Sequence, residues 1–395
     1  MRYRSTPVIV VLFATAALFT APASTRTPDP DTLIVHEWGT FTSIAGADGT
    51  AVEWLPLAGP TDLPCFVERS RFNLKGGLSG TVRMETPVLY FYAPRETTVN
   101  VKVRFREGVI TEWFPRAATT PGYSPPVPGS ESTIAWRNVK VSPGVVEDFP
   151  VEYGASHYYA ARRTAAAPLQ SGSDKEKFLF YRGVGRFALP IAATVDVDGK
   201  VAVSHPRGQP IGDVILFDNH QGRIVYEVRR ALAGQVVVEP PVSDQEPTLE
   251  LERMLLANGL YRDEATAMIE SWRDSWFEEG TRLFYIVPWP AIDTVLPLEI
   301  SPAPAGVARA FVGRMELVTP ATKKEITDAL LENDRATLRT YGRFLQAIGG
   351  RIVSESARRD VAPQSGVGPG DRALLERRLL EAYSSWGTPQ GECGR

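Results

Sequence analysis

VNVKVRFREGVITEWF, residues Val99 to Phe114, decides the fold class. Val99 to Phe105 is rich in β-branched and aromatic residues, Glu107-Gly108 reads as a turn, and Val109 to Phe114 as the strand that follows it. On one side, Val88 to Tyr92 (VLYFY) is equally β-like; on the other, Ile134 to Val141 resumes strand character. Between them Pro115 to Ser130 holds five prolines. Proline has no amide hydrogen to give to a ladder, so this stretch reads as a long loop.

The pattern extends in both directions. Leu33 to Ser43 is a strand, Asp48-Gly49 a turn and Ala51 to Leu55 its return. Residues 164–177 (TAAAPLQSGSDKEK) read as a small-polar linker or exposed loop. Ala192 to Asp196 and Lys200 to Ser204 flank the hairpin dipeptide Asp198-Gly199. Val214 to Phe217 and Arg223 to Val228 flank the loop 218–222, which puts His220 at a hairpin tip, and Arg282 to Val287 with Ala310 to Leu317 make a further pair. Helices come late. Thr248 to Leu256 stops at Asn258-Gly259. In the next, Ala265, Met268, Ile269, Trp272 and Trp276 recur at helical steps. Thr322 and Glu325 form a capping box for a helix running towards Gly349-Gly350, with Leu338, Tyr341, Leu345 and Ile348 on one face. Residues 359–370 are a Pro/Gly-rich linker, and Asp371 opens a last helix to about Tyr383. The expected class is α+β with β dominant: antiparallel, β-sandwich or jelly-roll-like sheets with a few late helices packed on them.

A chain of 395 residues exceeds what one core usually serves. The expected division is a signal peptide at 1–23, a sandwich-like domain at 24–150, a second β-rich domain at 151–320 with a helical insertion near 248–278, and a helical segment with tail at 321–395. The leader rests on Arg2 and Arg4, the apolar run Val8 to Thr20, and Ala21-Pro22-Ala23 as a small-x-small cleavage signal. That run is shorter than the roughly 20 apolar residues that cross a bilayer. The expectation is a soluble protein, exported to the periplasm or beyond, without stable membrane insertion after cleavage. In an oxidising compartment Cys65 and Cys393 could pair.

Composition narrows the partners. The chain carries 43 basic and 46 acidic residues. Residues 1–23 hold two Arg and no acid, so the remainder has 41 against 46, a net charge of −5. Mild acidity without a basic cluster disfavours nucleic acid. No nucleophile elbow, phosphate loop, HExxH or CxxC occurs, and none of the four His has a His at i+2 or i+4. No metal or cofactor is therefore expected from local spacing.

Six residues stand out as candidates. His36, Glu37 and Trp38 lie on a strand whose two faces are both largely apolar, so at least one ionisable group shares an apolar face and must be paired or neutralised. Arg182 and Arg186 bracket two glycines in RGVGR, a segment able to approach an anion or simply a bent strand with solvated arginines. His157, in Ser156-His157-Tyr158-Tyr159 beside Arg162-Arg163, belongs to an aromatic-basic patch suited to glycans or acidic ligands. Two functions remain open: an extracytoplasmic ligand-binding or structural module that holds a small molecule, glycan, peptide or partner protein, and a hydrolase using His36 or Glu37 with a distant carboxylate.

Overall fold

The computed structural model describes residues 32–57, 63–70, 77–120, 126–152, 156–232, 234–239, 247–359 and 369–384. Nine strands form the central sheet, in the spatial order β14 (Arg223–Leu232), β13 (Gly212–His220), β16 (Gly280–Ile286), β18 (Gly306–Leu317), β1 (Ile34–Ile44), β3 (Val82–Tyr92), β10 (Leu179–Gly185), β5 (Gly108–Phe114) and β2 (Glu68–Arg69). A second sheet runs β17 (Leu298–Ser301), β4 (Thr97–Arg106), β7 (Glu131–Val141), β8 (Leu169–Ser171) and β9 (Asp174–Glu176), with β6 (Ala118–Thr120) on β7. A small third sheet is β11 (Ala192–Val195), β12 (Val201–Ser204) and β15 (Val236–Val238). The β-dominant class with antiparallel sheets and late helices is what the molecule shows.

One pairing departs from the antiparallel pattern. β1 runs parallel to β18, from Ile34 opposite Gly306 to Ile44 opposite Glu316. The central sheet thus interleaves strands from residues 24–150 with strands from 151–320.

The two faces of the central sheet bury different partners. On one, Val35, Phe41, Leu89, Phe91, Tyr285 and Phe311 pack against Val101, Val103, Phe105 and Trp136 of the second sheet. The other face, with Trp38, Tyr90, Phe180, Phe217 and Phe284, is covered by the helices α1 (Thr248–Ala257) and α2 (Arg262–Trp276) and the 3-10 helix η1 (His157–Arg162). After α3 (Trp289–Val295), a third cluster joins Ile44, Trp54 and Val318 to a C-terminal helical layer. Each large apolar side chain so buried is worth roughly 1.5–3 kcal/mol.

Several local expectations are corrected. Residues 164–177 are not a linker: Leu169–Ser171 and Asp174–Glu176 pair as a short hairpin, with Ala166, Ala167 and Leu169 buried. Three-residue strands are too short to show a period. Ala51 and Trp54 make only isolated bridges, not a return strand. His220 is the last residue of β13 rather than part of a five-residue loop. Gln221 and Gly222 alone make the turn, both at positive φ (54° and 79°), as a tight hairpin requires. The helix expected from Thr322 to Gly350 is broken. Thr319, not Thr322, caps α4 (Pro320–Glu332), its hydroxyl accepting from Thr322 N at 3.1 Å. Asn333 in the left-handed conformation ends it, and Asp334 caps α5 (Arg335–Thr340). Beyond the 3-10 turn η2 (Gly342–Phe344), α6 (Leu345–Arg359) runs straight through Gly349-Gly350. A Cβ on Gly349 would meet Leu379 of α7 (Pro369–Ser384) at 2.7 Å, so that glycine is a close-packing residue and not a stop. The leader 1–23, the lead 24–31, most of the 359–370 linker, and Cys393 with its pairing to Cys65 lie outside the described residues. No helix among the described residues is long and apolar enough to cross a membrane.

Candidate functional site

The strand β1 sends its ionisable pair to opposite faces. His36 points to the helices, where its Nδ1 lies 2.8 Å from Glu264 Oε2. Glu264 also accepts from Tyr92 OH at 2.8 Å and, reaching back along α2, from Tyr261 N at 2.7 Å. The rings of Tyr92 and Tyr261 stand 5.4 and 4.4 Å from the imidazole. Glu264 is therefore at once a helix cap and the clasp between β1 and α2. Glu37 faces the second sheet, fully buried, and accepts from Arg309 Nε at 2.6 Å and from Tyr181 OH. Trp38 is fully buried beneath the helices. His36 and Glu37 thus do not meet in one cleft.

The two arginines of RGVGR also part company. Arg186 pairs with Glu53 at the surface. Arg182 is buried, its guanidinium carbon 5.6 Å from the centroids of both Phe180 and Trp272. Trp272 is where two of the candidates come together: the imidazole of His157 stacks on it at 5.8 Å with planes 11° apart. His157 in turn lies 3.2 Å from Asp274 through Nδ1.

These contacts frame an open cleft of about 730 Å³ between η1 and α2, lined by His157, Tyr159, Arg163, Glu270, Arg273 and Phe277 among others. The η1 wall is held firmly. Ser156 caps it by accepting from Tyr158 N. Below, the buried Glu176 accepts from Tyr158 OH at 2.9 Å and from Arg162 at 2.9 and 2.7 Å. The Arg162 guanidinium also lies over the rings of Phe149, Tyr158 and Tyr159. The α2 wall follows from its amphipathic repeat. Ala265, Met268, Ile269, Trp272 and Trp276 go to the core, which leaves Glu270, Arg273 and Asp274 on the side towards η1. Arg163–Glu270 at 2.5 Å and His157–Asp274 tie the walls together. The lining offers Arg163 and Arg273 against Glu270 and Asp274, so donors and acceptors abound while the net charge is close to nil.

The central sheet also buries ion pairs. Arg83 bonds Glu112 and Thr111, and Arg343 with Thr42 holds Glu85. Burial pushes both carboxyls up, but Arg343 at Glu85, and Arg83 with Arg182 at Glu112, more than offset it and leave both below the ordinary value of 4.5. At Glu176 burial wins over Arg162 and the carboxyl is raised. A depressed carboxyl stabilises the fold fully above the unfolded value and loses that contribution as pH falls through the folded one. Glu85 and Glu112 should thus make the melting temperature drop below about pH 4.5, while protonation of Glu176 acts in the opposite direction. Thermal melts from pH 6 to 3 check this. Glu112→Gln should melt lower at pH 6 and show a flatter decline; an unchanged acid slope would remove Glu112 from the account.

Tyr159, Arg163 and His157 were readable as a patch. Glu270, Arg273 and Asp274 were not, because a charged helix face shows its period without showing what it faces. No protein-family model matches the chain, and no curated protein matches its sequence.

Proposed function

We propose that this protein is an exported ligand-binding module, and that the cleft between η1 and α2 seats a neutral, polyhydroxylated ligand of the oligosaccharide class. The observation that supports it is the pairing of aromatic rings with a charge-balanced polar rim. Sugar C–H faces pack on a half-buried ring such as Tyr159, and hydroxyls both donate to carboxylates and accept from guanidinium groups. A net positive rim would favour an anion, and a net negative one a cation; this rim is neither. Array screening of the purified chain against oligosaccharides, followed by calorimetry on the best hit, tests the reading. His157→Ala and Asp274→Ala should each weaken the hit about tenfold or more, the size of one lost polar contact. The melting temperature of Asp274→Ala should stay near that of the parent, since its side chain is mostly exposed and an exposed ion pair is worth little, so its loss of affinity reports on the ligand. Affinity unchanged in both variants would place the ligand elsewhere.

A hydrolase reading draws on the His36–Glu264 pair, because a carboxylate that orients an imidazole is a familiar arrangement for a general base. Glu264 is already engaged by Tyr92 and the Tyr261 amide, which favours a structural clasp. Turnover of chromogenic glycosides or esters by the parent and not by His36→Gln would move the balance to hydrolysis.

A further inference from the structure

We propose that His220, Glu279 and Glu325 form a binding site for one divalent transition-metal ion, zinc being the best chemical match. The three residues come from three separate elements: the end of β13, the turn entering β16, and the second turn of α4. Their ligand atoms all lie within 4.8 Å of one another. His220 Nδ1 is 3.3 Å from Glu279 Oε1 and 3.6 Å from Glu325 Oε2. Two ligands each about 2.1 Å from a tetrahedral ion are themselves about 3.4 Å apart. The two spacings from His220 are therefore already those of neighbouring corners around a single ion, and the third pair lies within 4.8 Å.

The surroundings are arranged as a ligand shell needs. A metal-bound imidazole commonly gives its other ring nitrogen to a carboxylate, which fixes the ring and its tautomer. Here Nε2 of His220 lies 3.5 Å from Asp218 Oδ1, and Asp218 is itself held by the Thr281 hydroxyl. Glu279 is oriented by the Gln221 amide, which donates to both its oxygens at 2.9 and 3.0 Å, and Glu325 by Tyr341 OH at 2.6 Å. Each candidate ligand thus has a separate partner that aims it inward. The three side chains are partly exposed, at 28%, 11% and 22%. An adjoining cleft of about 400 Å³, lined by His220, Glu325, Asp328 and Asp334, gives an ion a way in and leaves coordination positions open to water. One nitrogen and two carboxylate oxygens suit zinc or manganese better than calcium, which prefers six to eight oxygens. Two carboxylates with a neutral imidazole balance the charge of the ion.

Calorimetric titration of the tag-free, EDTA-treated chain with zinc chloride tests the proposal. One equivalent should bind, and His220→Ala and Glu279→Gln should each weaken the affinity at least thirtyfold. Bound zinc would fasten α4 to β13, so it should also raise the melting temperature of the parent by several degrees and leave that of both variants unmoved. Glu279→Gln keeps the side-chain shape and guards against simple misfolding; its melting temperature without metal should lie near the parent's. No binding of zinc or manganese by the parent would overturn the proposal, leaving the cluster an ion-pair network. Tight zinc binding that survives both substitutions would overturn it equally, because the ion would then sit elsewhere.

Discussion

Replacing Arg309 with Met is expected to lower the stability of the protein by about 3–5 kcal/mol, the usual cost of stranding one partner of a buried ion pair. Glu37 and Arg309 face the inter-sheet core with side-chain exposures of 0% and 1%. Once the guanidinium is gone, the carboxylate keeps, among the described residues, the Tyr181 hydroxyl alone. It is then left in an apolar layer without its ion-pair partner. Asp293, the other partner of Arg309, is half-exposed and can turn to water, so it adds little to the loss. The double replacement Glu37→Leu with Arg309→Met should recover much of the deficit, since an apolar pair of similar volume often serves as well as a buried bridge. Urea melts of the parent, the single and the double variant check both statements. Glu37→Gln should also lower the melting temperature while leaving ligand affinity per folded molecule unchanged. A single Arg309→Met variant as stable as the parent would mean that the pair is solvated.

Gly183→Ala should be nearly as damaging, at about 3 kcal/mol, the upper end of what overpacking a core usually costs. A Cβ there would lie 2.6 Å from Phe105 Cε1 and 2.6 Å from the carbonyl oxygen of Val109 on the neighbouring strand. Phe105 is fully buried, and the Val109 carbonyl belongs to β5, so neither can retreat without disturbing a sheet. Gly185→Ala should cost less, because its nearest neighbours are ring atoms of Phe187 at 2.6 and 2.7 Å and of Phe105 at 3.0 Å, with no backbone atom as close as the Val109 carbonyl is to Gly183. This ordering separates the two readings of RGVGR. If its glycines exist to let the sheets approach, stability falls and cleft binding survives. Loss of binding at unchanged stability would instead make the segment a ligand loop.

The contrast between what the chain shows and what it conceals has a physical origin. The β11–β12 hairpin is legible because a turn dipeptide and its flanking strands are contiguous, and α2 because its apolar period is complete within fifteen residues. The strands β4 and β5 are equally legible, but they do not pair: Glu107-Gly108 carries the chain from the second sheet to the central one, and nothing local marks that change of sheet. Glu37 was legible as a residue in need of a partner, since both faces of its strand are apolar. That the partner is Arg309, 272 residues away on a parallel neighbour, was not, because strand pairing at such range leaves no local mark. The cleft divides in the same way. His157 and Arg163 show as a patch on η1, but Arg163 meets Glu270 across 107 residues, and only the packing of α2 on the sheet brings that about. His220 was misplaced at a loop tip because Gln221 tolerates positive φ and shortens the turn. Its meeting with Glu279 and Glu325 depends on three elements assembling.

The four histidines allow the central claim, that the η1–α2 cleft is the ligand seat, to be tested in one spectrum. They are His36 under α2, His157 in the cleft, His205 in a surface turn and His220 beside α4. With histidine labelled in the ring carbons, four resonances should appear and be assignable by single substitution. Titration of the oligosaccharide selected by the array should then move the His157 signal progressively to saturation and leave the other three in place. Saturable movement of the His36 signal, or of any other, while His157 stays fixed would contradict the assignment of this cleft.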